Sequence, residues 1–148
     1  MATAFYARSC IQITRIAEIL GYADDAARYA ALRDHVIAGF LDRFIRLDGT
    51  MTSDTQCAYA LAIAFGLLDG EPVRKVKAGN CLACLVRESG GKVSTGFAGT
   101  PFVLPALTQT GHDDEAYQLL TSTECPSWLY QVTMGATTTW ERWDSMRP

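Results

Sequence analysis

The sequence predicts an all-α fold of successive helical hairpins, and three observations carry that prediction. Apolar residues recur at helical spacing, capping and breaking residues punctuate them, and the helices pair into hairpins of roughly 40 to 45 residues. Such a series leaves two architectures, an α-solenoid or an α/α toroid in which inner and outer helices alternate. The repeats are unequal, which favours the toroid.

Tyr6, Cys10, Ile13, Ala17 and Leu20 mark the stripe of a first helix over residues 3–20, stopped by Gly21. Asp24 and Asp25 offer an N-cap and a favourable charge to a second helix whose buried stripe is Tyr29, Leu32, Val36, Phe40 and Phe44. The pair reads as an antiparallel hairpin with a very short turn.

Asp48-Gly49 marks a turn in the polar stretch that follows, after which Ser53 or Asp54 caps a third helix reaching Leu68. Its segment AYALAIAFGLL is apolar on every side, so the helix must be covered all round and suits an inner layer. Gly70 ends it, and Pro72 stands in the first turn of a fourth helix running to Glu88, with Arg74, Lys75, Lys77 and Arg87 facing water.

Ser89-Gly90-Gly91 breaks the chain, and KVSTGFAGT reads as a short extended segment and a loop. Thr100-Pro101 opens a fifth helix that contains Pro105 and stops at Gly111; Asp113 and Asp114 open a sixth with Ala116, Leu119 and Leu120 on its apolar side. Pro126 begins a seventh, SWLYQV, that ends near Gly135. The sum is three hairpins and a half.

Composition narrows the function. The chain has 148 residues, 49% hydrophobic and 20% charged, with a formal net charge of −3. Its basic residues are scattered, which argues against nucleic acid or an anionic membrane as partner. The longest apolar run, Cys57 to Leu68, falls short of the roughly 20 residues that cross a bilayer. The N-terminus lacks a basic leader followed by an apolar segment and a cleavage site, so a cytoplasmic location is expected.

The five cysteines, Cys10, Cys57, Cys81, Cys84 and Cys125, read as reduced thiols. Cys81 and Cys84 form a CxxC with neither a second ligand pair at zinc spacing nor a preceding strand. They read as small helix residues, and neither metal nor cofactor is expected.

All three tryptophans, Trp128, Trp140 and Trp143, fall after residue 127, and the segment Gly135 to Asp144 holds the chemistry-bearing cluster. Three consecutive threonines disfavour a helix, and Trp140-Glu141-Arg142-Trp143-Asp144 gathers two carboxylates and two large aromatic faces. Sugar sites use this combination, because rings stack on the apolar face of a pyranose, carboxylates accept from hydroxyls, and one carboxylate can act as a base. The same residues could instead anchor a packed loop, with Arg142 paired to Glu141 or Asp144.

The stretches STGFAGTPFVLPAL (residues 94–107), GHDDEAYQLL (111–120) and PSWLYQVTMGATTTWERWDS (126–145) strongly resemble the catalytic domain of bacterial α-L-rhamnosidases, glycoside hydrolase family 78. TAFYARSC and TQCAYALAIAFGLL are similar to that domain too, so the resemblance covers essentially the whole chain. It implies an (α/α)6 barrel and inversion at the anomeric carbon of rhamnose. It also implies that Glu141 is the general base, with Trp140, Trp143, Asp144 and Trp128 around the sugar of a rhamnose-containing glycoside.

An inverting glycosidase needs a second carboxylic acid about 6.5 to 9.5 Å from the base. The resemblance sets that acid in a loop upstream of the TAFYARS-like helix and sets a histidine-containing closing helix downstream. Neither His35 nor His112 matches that histidine; both read as surface residues. The expectation is a partial catalytic domain, residues 1–148, of about three and a half hairpins out of six, inactive alone. Its all-apolar third helix is expected to lack covering neighbours, and the isolated chain to form a homo-oligomer. Two alternatives stay open: a non-catalytic helical-repeat module whose groove takes a peptide, and another α/α-barrel carbohydrate-active enzyme. A groove would be lined by residues at equivalent helix positions, whereas a glycosidase site would converge on loops at one end, gathering Glu141, Asp144 and the loop at Ser94 to Thr100.

Overall fold

The computed structural model describes residues 1–145, in which seven helices follow one another: α1 Ala2–Leu20, α2 Ala23–Phe44, α3 Gln56–Ala64, α4 Pro72–Glu88, α5 Thr100–Gln109, α6 Asp113–Thr121 and α7 Trp128–Thr133. The expected order and number of helices hold, and the differences lie at their ends and faces. α1 stops at Gly21, and the N–H groups of Gly21 and Tyr22 donate to the carbonyls of Glu18 and Ala17.

The face that α1 buries differs from the expected stripe. Ala4, Ala7, Cys10, Thr14 and Ala17 are buried, while Tyr6, Ile13 and Leu20 are exposed. Small residues three and four apart let α1 lie close along α2, and the larger apolar residues are left outside. In α2, Asp24 and Asp25 occupy the first turn, where the helix dipole favours their charge, but neither caps it; the N-cap is Tyr22. Val36 and Phe40 are buried there as expected.

Between α2 and α3 the chain folds back on itself, pairing Ile45 with Met51 around the Asp48-Gly49 turn. Asp48 accepts from the N–H and the hydroxyl of Thr50, and these bonds hold its carboxyl below the usual range. Thr55, rather than Ser53 or Asp54, then caps α3 by accepting from the Ala58 N–H at 3.2 Å. α3 also ends earlier than expected, at Ala64, because Gly66 takes a left-handed φ of +72°. Leu67 and Leu68 are buried in the turn beyond it.

α4 begins with Pro72 in its first turn. α5 starts at Thr100 with Gly99 as N-cap, and α7 is capped by the Ser127 hydroxyl, which accepts from the Tyr130 N–H, one residue after the expected Pro126 start. In α6, Ala116 and Leu119 are buried but Leu120 is exposed. The glycine-rich stretch before α5 is a loop with no strand pairing among the described residues.

α3 is the centre of the molecule. Tyr59, Ala60, Leu61, Ala62 and Ile63 are all buried, and α4 and α5 pack directly on it. Phe5 of α1, Phe65 just after α3 and Phe102 of α5 meet edge to face, with the Arg8 guanidinium over the last two rings. α1, α3 and α5 therefore form one layer, and α4 and α6 pack together in the other. The expectation that α3 lacks cover is corrected: it is enclosed within the chain, and α1 instead carries a run of exposed apolar side chains at Tyr6, Ile13, Ile16, Ile19 and Leu20.

The buried polar groups fix the loops. Gln56 accepts from the Ser94 N–H and donates to the Lys92 carbonyl, tying the loop before α5 to the start of α3. The Val93 N–H donates to the Pro126 carbonyl at 3.0 Å, joining that loop to the one before α7. Two loops are thus held beside the start of α3, at one end of the helices.

Candidate functional site

That end carries an open cleft of about 580 Å³ lined by Thr95, Gly96, Phe97, Cys125, Pro126, Glu141, Arg142, Trp143 and Asp144. The loops before α5 and α7 supply five of its lining residues, and the segment after α7 supplies the other four. Glu141 and Asp144 thus share one cavity with the loop at Ser94 to Thr100. A smaller pocket of about 240 Å³ between Ala4, Phe40, Phe44, Met51 and Leu61 holds one ionisable side chain, the Cys57 thiol, which burial pushes up and so keeps from forming a thiolate.

The segment that carries Glu141 is anchored by its backbone. α7 buries Gln131, whose Oε1 accepts from the Trp140 N–H at 3.1 Å, while the Ala136 N–H donates to the Gln131 carbonyl. One side chain therefore sets the path of the chain immediately before Glu141. The Gln131 Nε2 is buried and has no partner among the described residues.

Glu141 is exposed in the cleft and makes no ion pair among the described residues. Arg142 pairs instead with Asp144, Nη2 to Oδ1 at 3.2 Å, so one carboxylate of the segment is occupied and the other is open to solvent. Half-buried Trp143 presents to the cleft and rests edge to face on Trp128, with ring centroids 5.6 Å apart. Trp128 and Trp140 do not line the cavity; Trp128 buttresses Trp143 from behind, and Trp140 holds the turn through its backbone.

Sequence reasoning missed Phe97. Its one signal in the sequence is its place in a Gly-Phe-Ala-Gly stretch, which by itself does not tell a presented ring from a packed one. The two histidines stay apart from the cleft: His35 is exposed on α2, and His112 bonds Thr110 and Asn80. On α4, exposed Cys84 donates to Glu88, and that acceptor raises the thiol and lowers its thiolate fraction.

A family model described as the bacterial α-L-rhamnosidase six-hairpin glycosidase domain matches residues 1–148. The chain is 42% identical to an α-L-rhamnosidase of Streptomyces avermitilis over its whole length, and 39% identical over 147 residues to one of Formosa agariphila. It spans 14% and 16% of the length of those two proteins. The crystal structure of the Streptomyces avermitilis enzyme complexed with L-rhamnose superposes on all of this chain with a TM-score of 0.91. The native enzyme from Aspergillus terreus, 36% identical, superposes on 97% of it with a TM-score of 0.90, the chain covering 16% of that structure.

Proposed function

We propose that this chain, which belongs to the bacterial α-L-rhamnosidase six-hairpin glycosidase family, is part of a catalytic α/α domain that hydrolyses terminal α-L-rhamnosides. The hairpins of an α/α toroid supply the frame, and the cleft at their loop end supplies the sugar site. The observation that carries the reading is the meeting of Glu141, Trp143 and Asp144 with the Thr95–Phe97 loop in one open cavity. A helical-repeat groove would run along helix faces, and this cavity is made of loops.

Glu141 is assigned as the general base. Its exposed carboxylate, unengaged by any cation among the described residues, is available to take a proton from the water that attacks the anomeric carbon. The indole of Trp143 offers a flat apolar face to the sugar ring and its methyl group, and Asp144, steadied by Arg142, accepts from hydroxyls. Trp128, packed on Trp143, and Trp140, whose N–H is held by Gln131, support this segment.

Inversion needs an acid across the sugar from the base, about 6.5 to 9.5 Å away. The loop part of the lining, Thr95 to Phe97 with Cys125 and Pro126, contributes no carboxylic acid, and Asp144 belongs to the same segment as Glu141. The chain by itself is therefore expected to bind L-rhamnose without releasing it from an aryl rhamnoside. Within a chain extended to the full six-hairpin domain, Glu141→Gln is expected to lower turnover of 4-nitrophenyl α-L-rhamnoside by about two to four orders of magnitude. Turnover within tenfold of the unsubstituted domain would overturn the assignment.

A further inference from the structure

The aromatic residue that the loop before α5 brings to the cleft has a different setting from the three tryptophans. Phe97 is 85% exposed, in contact with the cleft and outside the packed core. Its turn is held tightly. The N–H groups of Gly99 and Thr100 both donate to the Gly96 carbonyl, and the hydroxyls of Thr95 and Thr100 bond at 2.8 Å. Gly99 packs so closely on α3 that an added Cβ would lie 2.6 Å from Cys57 Sγ. A bare phenyl ring held in water on a pinned turn gives up the gain of burial, which is on the order of 2 kcal/mol for such a side chain. The turn presents the ring to whatever enters the cleft.

We propose that Phe97 is the platform for the leaving group, the aromatic or sugar unit attached to rhamnose, and so determines which glycosides the site prefers. The inference rests on Glu141 being the base. In an inverting displacement the base holds water on one face of the sugar and the leaving oxygen departs from the other. With the water held on the Glu141 segment, the proposal sets the leaving group against the lining from the other loops, where Phe97 is the exposed aromatic side chain. A phenyl ring carries no polar tip, so it recognises a flat apolar face and is tolerant of the hydroxyl pattern on it.

The test is a pair of binding titrations of the chain, one with methyl α-L-rhamnoside and one with 4-nitrophenyl α-L-rhamnoside, followed by NMR. The unsubstituted chain is expected to prefer the nitrophenyl glycoside by about fivefold, the gain typical of one aromatic stack. Phe97→Ala should bring the two affinities together without weakening the methyl glycoside, and Phe97→Trp should keep the preference. A preference that survives Phe97→Ala, or a loss that falls equally on both ligands, overturns the proposal while leaving the sugar site intact. If the unsubstituted chain binds neither glycoside, or Trp143→Ala leaves both affinities unchanged, the sugar site itself fails and the platform with it.

Discussion

The centre of the molecule and its loop end obey opposite rules. Around α3 every large side chain from Tyr59 to Ile63 is enclosed, and the polar groups there are bonded: the Tyr59 hydroxyl accepts from the Met51 N–H and donates to Asp54, and Gln56 is bonded at both ends. At the loop end a carboxylate and a phenyl ring stand in water, held by backbone turns. The first region gains stability from burial, and the second forgoes it to leave surfaces free for a ligand. The centre supplies the site with rigidity, delivered through Gln56 and Gly99, and Gln131 of α7 does the same for the segment of Glu141.

Substitutions can separate the two regions. Ile63→Ala, in the enclosed helix, is expected to cost about 2 to 5 kcal/mol in chemical denaturation, because a buried residue fully packed on α4 and α5 leaves a cavity. A loss under about 1 kcal/mol would mean that α3 is not the packing centre. Gln131→Ala removes the acceptor of the Trp140 N–H and is expected to cost about 1 to 2 kcal/mol. It should also weaken L-rhamnose binding, although Gln131 does not line the cleft; unchanged affinity would separate α7 from the site.

Tyr59→Phe is expected to cost about 1 kcal/mol, since the Met51 N–H and Asp54 lose a partner. Burial raises the Tyr59 hydroxyl far above its ordinary range in the folded chain. A group raised on folding contributes stability below its unfolded value, and that contribution is lost as pH climbs towards the folded value. The unsubstituted chain should therefore weaken above the ordinary tyrosine range in alkaline denaturation, and the phenylalanine variant should weaken less. Equal slopes would contradict this. The smallest effect is expected from Glu141→Gln, whose exposed side chain should change stability by less than about 0.5 kcal/mol.

Periodicity made the helices legible because their breaks, at Gly21, Gly90-Gly91 and Gly111, are chemical and local. It did not tell which apolar face goes inside. α1 is apolar on two sides, and close approach to α2 selects alanines that periodicity ranks below Tyr6 and Ile13. Gly66 ended α3 early because a residue at φ +72° leaves the helix, although the run of apolar residues continues to Leu68. At the site, Glu141, Trp143 and Asp144 were legible because three threonines and paired charges exclude a core helix. Phe97 was not, since an aromatic residue in a sequence reads as core until its turn is seen to hold it in water. The pairing of Arg142 with Asp144 rather than Glu141 is a matter of loop path that spacing cannot decide.

If the loop-end cleft is a rhamnose site, the three indole N–H signals of the chain report it. In a 15N-labelled sample titrated with L-rhamnose, with each signal assigned by substitution, the Trp143 signal is predicted to shift most and saturably. Trp128, packed behind it, should follow with a smaller shift, and Glu141→Gln should alter the response. Indole signals that stay unmoved at saturating L-rhamnose, or a shift confined to residues of α1 or α2, would contradict the account.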